Sequence, residues 1–201
     1  MSKTLIQLFA RPPVKGRVKT RLSADIGDDN ALSIYLHCLN YCLDLIRHSG
    51  FDYQIWLSEV PPHWAQEDPI KIQQGNNLGD KMLSALRSEL EREKKVYDRV
   101  ILMGSDCIEL SHTVLAKVNR KLDSHDLVII PAEDGGYVLI AVRGHVHAQL
   151  FESIDWGTQR VLIQTLEKIM QSGINACILN PLRDIDRYAD LQHYAAFNQY
   201  I

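Results

Sequence analysis

Apolar residues arrive along this chain in two kinds of run. Short, nearly unbroken ones occur at Thr4–Ala10 (TLIQLFA), Val100–Gly104 (VILMG), Asp126–Ile130 (DLVII) and Tyr137–Val142 (YVLIAV). Such runs mark strands buried on both faces, whereas half-exposed strands alternate. Phe51–Leu57 (FDYQIWL) does alternate and predicts another strand, with shorter ones at Ile70–Gln73 and Ile174–Leu179. The second kind has helical spacing. Leu32, Tyr35, Leu36, Leu39, Leu43 and Ile46 predict a helix over Ala31–Ser49, entered through the acidic stretch Asp25–Asn30 and stopped by Gly50. Met82, Leu83, Leu86 and Leu90 share one face of a helix expected from Asp80 to about Lys95. Ser111 suits the N-cap of a helix through Leu122, and helices are expected over Thr158–Gln171 and Tyr188–Tyr200.

Strands and helices therefore alternate, which predicts an α/β three-layer sandwich with a mixed, mainly parallel sheet. Tyr137–Val142 follows its predecessor after too few residues for a helical crossover, so it is expected to run antiparallel. Pro61, Pro62 and Pro69 bracket an irregular stretch, but no repeat or linker divides residues 1–201, and one domain is expected.

Composition narrows the function classes. A 46% hydrophobic and 23% charged chain can bury an ordinary core, and a net charge of −3 gives no global field for nucleic acid or a membrane surface. Cys38, Cys42, Cys107 and Cys177 form no Cys-x-x-Cys or zinc pattern; Cys38 and Cys42 share a helix face as small hydrophobes. With no secretory leader pattern and no apolar run of spanning length, the cytoplasm is the expected compartment.

Five groups carry candidate chemistry, four of them at expected strand ends. In open α/β sheets, ligands sit beyond the carboxyl ends of the strands. Val100–Asp106 (VILMGSD) puts Asp106 there, where a carboxylate could hold Mg²⁺ or Mn²⁺ against a diphosphate; the same Asp would also serve as a turn or cap residue. The loop after the first strand, RPPVKGRVKTRL, carries Arg11, Lys15, Arg17, Lys19 and Arg21 before the first acid at Asp25. Its cations suit phosphates and Gly16 would let the backbone approach them, yet Val18 precedes Lys19 where a Walker A loop needs Gly. In PAEDGGY, Glu133 or Asp134 could contact a sugar hydroxyl, orient an acceptor or act as a base, with Gly135 and Gly136 permitting close approach before Tyr137. In Arg183-Asp184-Ile185-Asp186, two acids two residues apart suit a metal or ribose contact, with Asp186 alternatively a helix cap. Trp156, in DWGT, could wall an acceptor.

Phe9–Leu22, NLGDKM, GSDC, PAEDGGYVLI, IDWGT and DIDRYADL, in this order from Phe9 to Leu191, resemble the bacterial DUF2064 group, whose members are named as glycosyltransferases or radical-SAM/selenodomain-associated transferases. That group is similar to the nucleotide-diphospho-sugar transferase superfamily. The resemblance implies a GT-A, Rossmann-like sheet. It implies a phosphate-binding loop over Arg11–Arg21, with Lys19 and Arg21 foremost, a metal aspartate at Asp106 and a second metal-binding acid at Asp186. Two positions depart from the pattern: Ile108 stands where relatives carry Pro, and Arg187 where they often carry Thr.

Together these readings lead to a metal-dependent glycosyltransferase using a nucleotide-diphospho-sugar, Mg²⁺ or Mn²⁺, and a small-molecule acceptor. Asp106, Glu133 and Asp134 would be catalytic, and Gly135, Gly136, Tyr137 and Trp156 would lie on the acceptor side. The alternatives are nucleotidyl transfer from an NTP to a phosphorylated acceptor, and nucleotide binding without turnover.

Overall fold

The computed structural model describes residues 3–60 and 68–200. Pro61 and Pro62 of the expected irregular stretch lie outside them. Seven strands form one sheet: β1 (Thr4–Ala10), β2 (Asp52–Leu57), β3 (Ile70–Ile72), β4 (Arg99–Gly104), β5 (Leu127–Pro131), β6 (Tyr137–Arg143) and β7 (Ala176–Ile178). Their order is β3-β2-β1-β4-β6-β5-β7. All neighbours are parallel except β6, which runs antiparallel to β4 and β5. The short PAEDGG connection forces that reversal, as its length predicts.

The unbroken runs are buried on both faces because alternate residues feed two cores. Ile6, Leu8, Ile101, Met103, Val128 and Ile130 face one layer. It is covered by α2 (Asp28–Arg47) through Tyr35, Leu39 and Cys42, and by α4 (His112–Lys121) through Leu115 and Val118. Leu5, Phe9, Val100, Leu102, Ile129 and Ile140 face the other, under α3 (Leu78–Leu90) and α5 (Val161–Ser172). Cys38, Cys42 and Cys107 are buried free thiols. A third cluster joins α1 (Thr20–Ile26), α2 and α6 (Tyr188–Leu191) through Leu22, Ile34, Cys38, Ile185, Leu191 and Phe197. Ile108, the departure behind Asp106, packs onto this cluster.

Several boundaries differ from the sequence reading. Residues 20–26 form α1, where the periodicity left a loop, because this helix buries only Leu22 and so carries no apolar period. Helix α3 ends at Leu90 instead of Lys95, since the apolar face ends there. Ser111 does cap α4, accepting the Val114 N–H at 3.3 Å. The expected last helix is two pieces, α6 and a 3-10 segment at Ala195–Tyr200. Among the described residues no helix is long and apolar enough to cross a membrane.

Candidate active site

The parallel register of β1 and β4 brings the basic loop after Ala10 beside Gly104-Ser105-Asp106. The reversed β6 returns its first residues to the same edge, so the PAEDGG turn joins them. The chain after β7 closes the group: Leu182 bridges Ala132, and the Ile185 N–H donates to the Asp106 carbonyl at 3.0 Å.

The base of the basic loop is pinned by Tyr35. Its hydroxyl accepts from the Arg11 N–H at 2.9 Å and donates to the Arg11 carbonyl at 2.7 Å. The cations then separate into two sets. Lys15 pairs with Asp29 and Arg17 with Glu59, both at exposed positions. The Arg11 side chain is exposed, with no ion-pair partner among the described residues. Gly16 has the positive φ of +73° expected of a glycine turn, but lies beside Asp28. Lys19 and Arg21 turn inward. Lys19, in left-handed backbone geometry (φ 48°) at the start of α1, reaches Asp106 Oδ1 at 2.8 Å and donates to the Ile185 carbonyl. Burial opposes the Lys19 charge, but the adjoining Asp106 carboxylate outweighs it and the pKa is raised. Arg21 reaches Asp186 Oδ2 at 2.8 Å. Thus the two foremost phosphate candidates hold the two metal candidates.

Asp186 does not cap α6; Asp190 does, accepting the Asp186 and Arg187 N–H groups at 2.9 and 2.7 Å. Glu133 and Asp134 point to different fates. Glu133 forms an ion pair with Arg183, and Arg183 N–H is in turn held by Glu109. Asp134 accepts the Gly136 N–H at 2.9 Å and lines a cavity of about 240 Å³. Arg21, Gly136, Tyr137, Trp156 and Asp184 line the same cavity. Asp184 was singled out in the sequence only as half of a pair with Asp186. Burial raises its pKa to about 6, with the charges of Asp134 and Asp106 adding to the effect.

Gly135 serves architecture more than approach: its φ is +94° and a Cβ would stand 2.3 Å from the Gln159 carbonyl oxygen. Its own carbonyl accepts the Leu162 N–H at 2.8 Å, anchoring the start of α5. The Trp156 indole packs against Gly79 of the NLGDKM motif, where a Cβ would stand 2.4 Å from Nε1. Phe151 stacks on the indole and Tyr137 meets it edge-on, with centroids at 6.5 and 6.3 Å. Helix α5 starts at Val161 instead of Thr158, and the Thr158 hydroxyl accepts the Arg160 N–H at 3.2 Å.

Among the described residues, no three histidine, cysteine or acidic side chains converge as a ready metal cage. The available donors are carboxylate oxygens on Asp106, Asp184 and Asp186. That hard donor set fits Mg²⁺ or Mn²⁺ of the kind held by one or two carboxylates and completed by water and substrate phosphate.

The family profile described as an uncharacterized protein conserved in bacteria, DUF2064, matches residues 45–158, more than half of the chain. The chain belongs to DUF2064. Among solved structures, this DUF2064 chain is similar to a provisionally named nucleotide-diphospho-sugar transferase from Desulfovibrio desulfuricans G20. The two share 29% identity over 98% of this chain and 89% of the other, with a TM-score of 0.89. A Methanothermobacter nucleotidyl transferase is 14% identical over 99% of both chains, with a TM-score of 0.64. A CMP:2-keto-3-deoxy-manno-octonic acid synthetase complexed with CTP is 14% identical over 96% of both, with a TM-score of 0.57. The last two share the fold alone. No curated protein matches the DUF2064 sequence.

Proposed function

We propose that this DUF2064 protein is a transferase that moves a glycosyl group from a nucleotide-diphospho-sugar to a hydroxyl acceptor, with a divalent cation. One observation carries the reading: the Lys19–Asp106 and Arg21–Asp186 pairs stand beside a cavity whose charged lining includes Asp134 and Asp184. Cations for a diphosphate, oxygen donors for a metal and carboxylates for an acceptor thus meet at one sheet edge. Asp106 and Asp186 would hold Mg²⁺ or Mn²⁺, which supplies neutralisation of the leaving diphosphate. Arg21 would bind its oxygens and Lys19 would add its positive charge from behind Asp106, stabilising the charge that grows there as the bond breaks.

In the reaction, the acceptor oxygen bonds to the anomeric carbon and the bond from that carbon to the phosphate oxygen breaks. The electron pair leaves with the nucleoside diphosphate, and the hydroxyl proton passes to the carboxylate of Asp134 or Asp184.

Nucleotidyl transfer is the second reading, favoured by the fold shared with the Methanothermobacter nucleotidyl transferase and the CTP-bound synthetase. It requires an anionic phosphate as acceptor, and two carboxylates in the cavity lining oppose one. The deciding experiment incubates the protein with Mn²⁺ and either nucleotide-sugars or NTPs, over a panel of acceptors. Acceptor-dependent release of a nucleoside diphosphate supports glycosyl transfer; release of pyrophosphate replaces it with nucleotidyl transfer; neither product, with all donors, removes both.

A further inference from the structure

This inference rests on the cavity being the acceptor's place. Its lining is uneven. Phe9, Leu78, Met82, Leu102 and Trp156 give broad apolar surface, and the charged lining residues are Arg21, Asp134 and Asp184. These three form one charged end, since Asp134 and Asp184 both act on Arg21 and Asp134 acts on Asp184. Arg21 is already met by Asp186, so the rim left to a ligand is negative.

The wall's two side-chain hydroxyls, on Thr158 and Tyr137, are not open to a ligand. The Thr158 hydroxyl donates to the Asp155 carbonyl at 2.7 Å. The Tyr137 hydroxyl is buried beside Thr165, whose own hydroxyl donates to Val161. Trp156, packed against Gly79, Phe151 and Tyr137, lines the cavity.

A sugar in such a space would leave most of its hydroxyls without partners, and each unmatched one costs desolvation. A phosphate or carboxylate would face Asp134 and Asp184. An apolar ring would cover Trp156, Met82 and Phe9 and lose nothing. We propose that the acceptor is a non-anionic alcohol with a compact apolar body about one ring in size, seated against Trp156 with its hydroxyl toward Asp134 and Asp184.

The test is calorimetric titration of the full chain with cyclohexylmethanol, benzyl alcohol and 2-phenylethanol, against glucose and phenyl phosphate, with tryptophan fluorescence as a second readout. The three alcohols should bind at least about tenfold more tightly than glucose or phenyl phosphate. Leu78→Trp, at the half-exposed cavity edge, should weaken the alcohols by about tenfold or more while the melting temperature stays within about 2 °C. Equal or tighter binding of glucose or phenyl phosphate, absence of alcohol binding, or alcohol binding indifferent to Leu78→Trp overturns the proposal. The two readings fail separately. Alcohols that bind but never accept a glycosyl group remove the transferase reading and leave the cavity's preference standing; turnover with sugar acceptors does the reverse.

Discussion

Lys19 Nζ stands 2.8 Å from Asp106 Oδ1, and the two ends of this contact differ sharply in exposure: the lysine side chain is 4% accessible and the aspartate 43%. The carboxylate can meet a ligand while the ammonium behind it cannot leave for water. Asp106→Ala would therefore strand a buried positive charge. Loss of one partner from a buried pair costs several kcal/mol, and the exposure of Asp106 reduces that to about 2 kcal/mol. Urea denaturation in chelator should give that loss for Asp106→Ala and a smaller one for Asp106→Asn, which keeps an oxygen for Lys19. An unchanged midpoint for Asp106→Ala would show that the pair adds nothing to the fold.

The site's two inward cations hold its two metal-candidate acids, so a metal alone would have to displace Lys19 or Arg21, and a phosphate alone would leave Asp106 and Asp186 facing an anion. Each should bind better once the other is present. Titration of Mn²⁺ followed by electron paramagnetic resonance, with and without pyrophosphate, should show coupling of about tenfold, a typical linkage magnitude. Arg21→Gln frees Asp186 and should tighten Mn²⁺ alone while reducing the coupling. Independent binding of the two ligands would refute this.

Asp184 is ionised against burial and against Asp134 and Asp106, with Lys19 giving partial relief, and its folded pKa is about 6 against an ordinary 3.8. The folded state thus favours the proton. This stabilisation is fully present below pH 4 and is lost as pH rises through about 6. Asp184→Asn should match wild type near pH 4 and exceed it near pH 7.5 by about 2 kcal/mol after allowance for solvent screening. Chemical denaturation at the two pH values, in chelator, measures the difference; a constant offset would contradict it.

Gly79 is a helical glycine whose pro-Cβ space is filled by the Trp156 indole. Alanine improves helix propensity by about 1 kcal/mol, but overpacking costs about 1–3 kcal/mol. Gly79→Ala should therefore be neutral to destabilising, not stabilising, and should shift tryptophan emission as the indole moves. A gain in melting temperature with an unchanged spectrum would refute the packing argument.

Glu133 is committed to Arg183, whereas Asp134 lines the cavity. Initial rates of nucleoside diphosphate release should fall by about 100-fold in Asp134→Asn, the scale of a lost proton-transfer group, and by less than about threefold in Glu133→Gln. The opposite ranking would exchange their roles.

The sheet was legible because strands buried on both faces are mostly apolar, with Gln7 an exception in β1 that donates to the Ala85 carbonyl. Even the antiparallel β6 could be read, since PAEDGG is too short for a crossover. Helix α1 was not legible, because a helix that buries only Leu22 has no period to detect. Strand ends located Asp106, Arg21 and Asp134 at one edge. They could not reveal that Lys15 and Arg17 turn outward or that Glu133 is held by Arg183, because those partners come from distant segments. Asp184 stood beside the more conspicuous Asp186, and only the approach of the chain after β7 to Asp134 and Asp106 distinguishes them.

That late segment also fixes when the site can exist. Lys19 meets Ile185 across 166 positions, and Arg21 meets Asp186 across 165. A ribosome-bound chain reaching only β6 already has six of the seven strands, all but the edge strand β7, yet neither inward cation has its full set of partners. Closure over such separations comes at the slow, non-local stage of folding. The candidate site is therefore completed from both ends of the polypeptide, and a nascent or C-terminally clipped molecule would carry the scaffold and the Lys19–Asp106 pair but lack the Ile185 and Asp186 partners of Lys19 and Arg21.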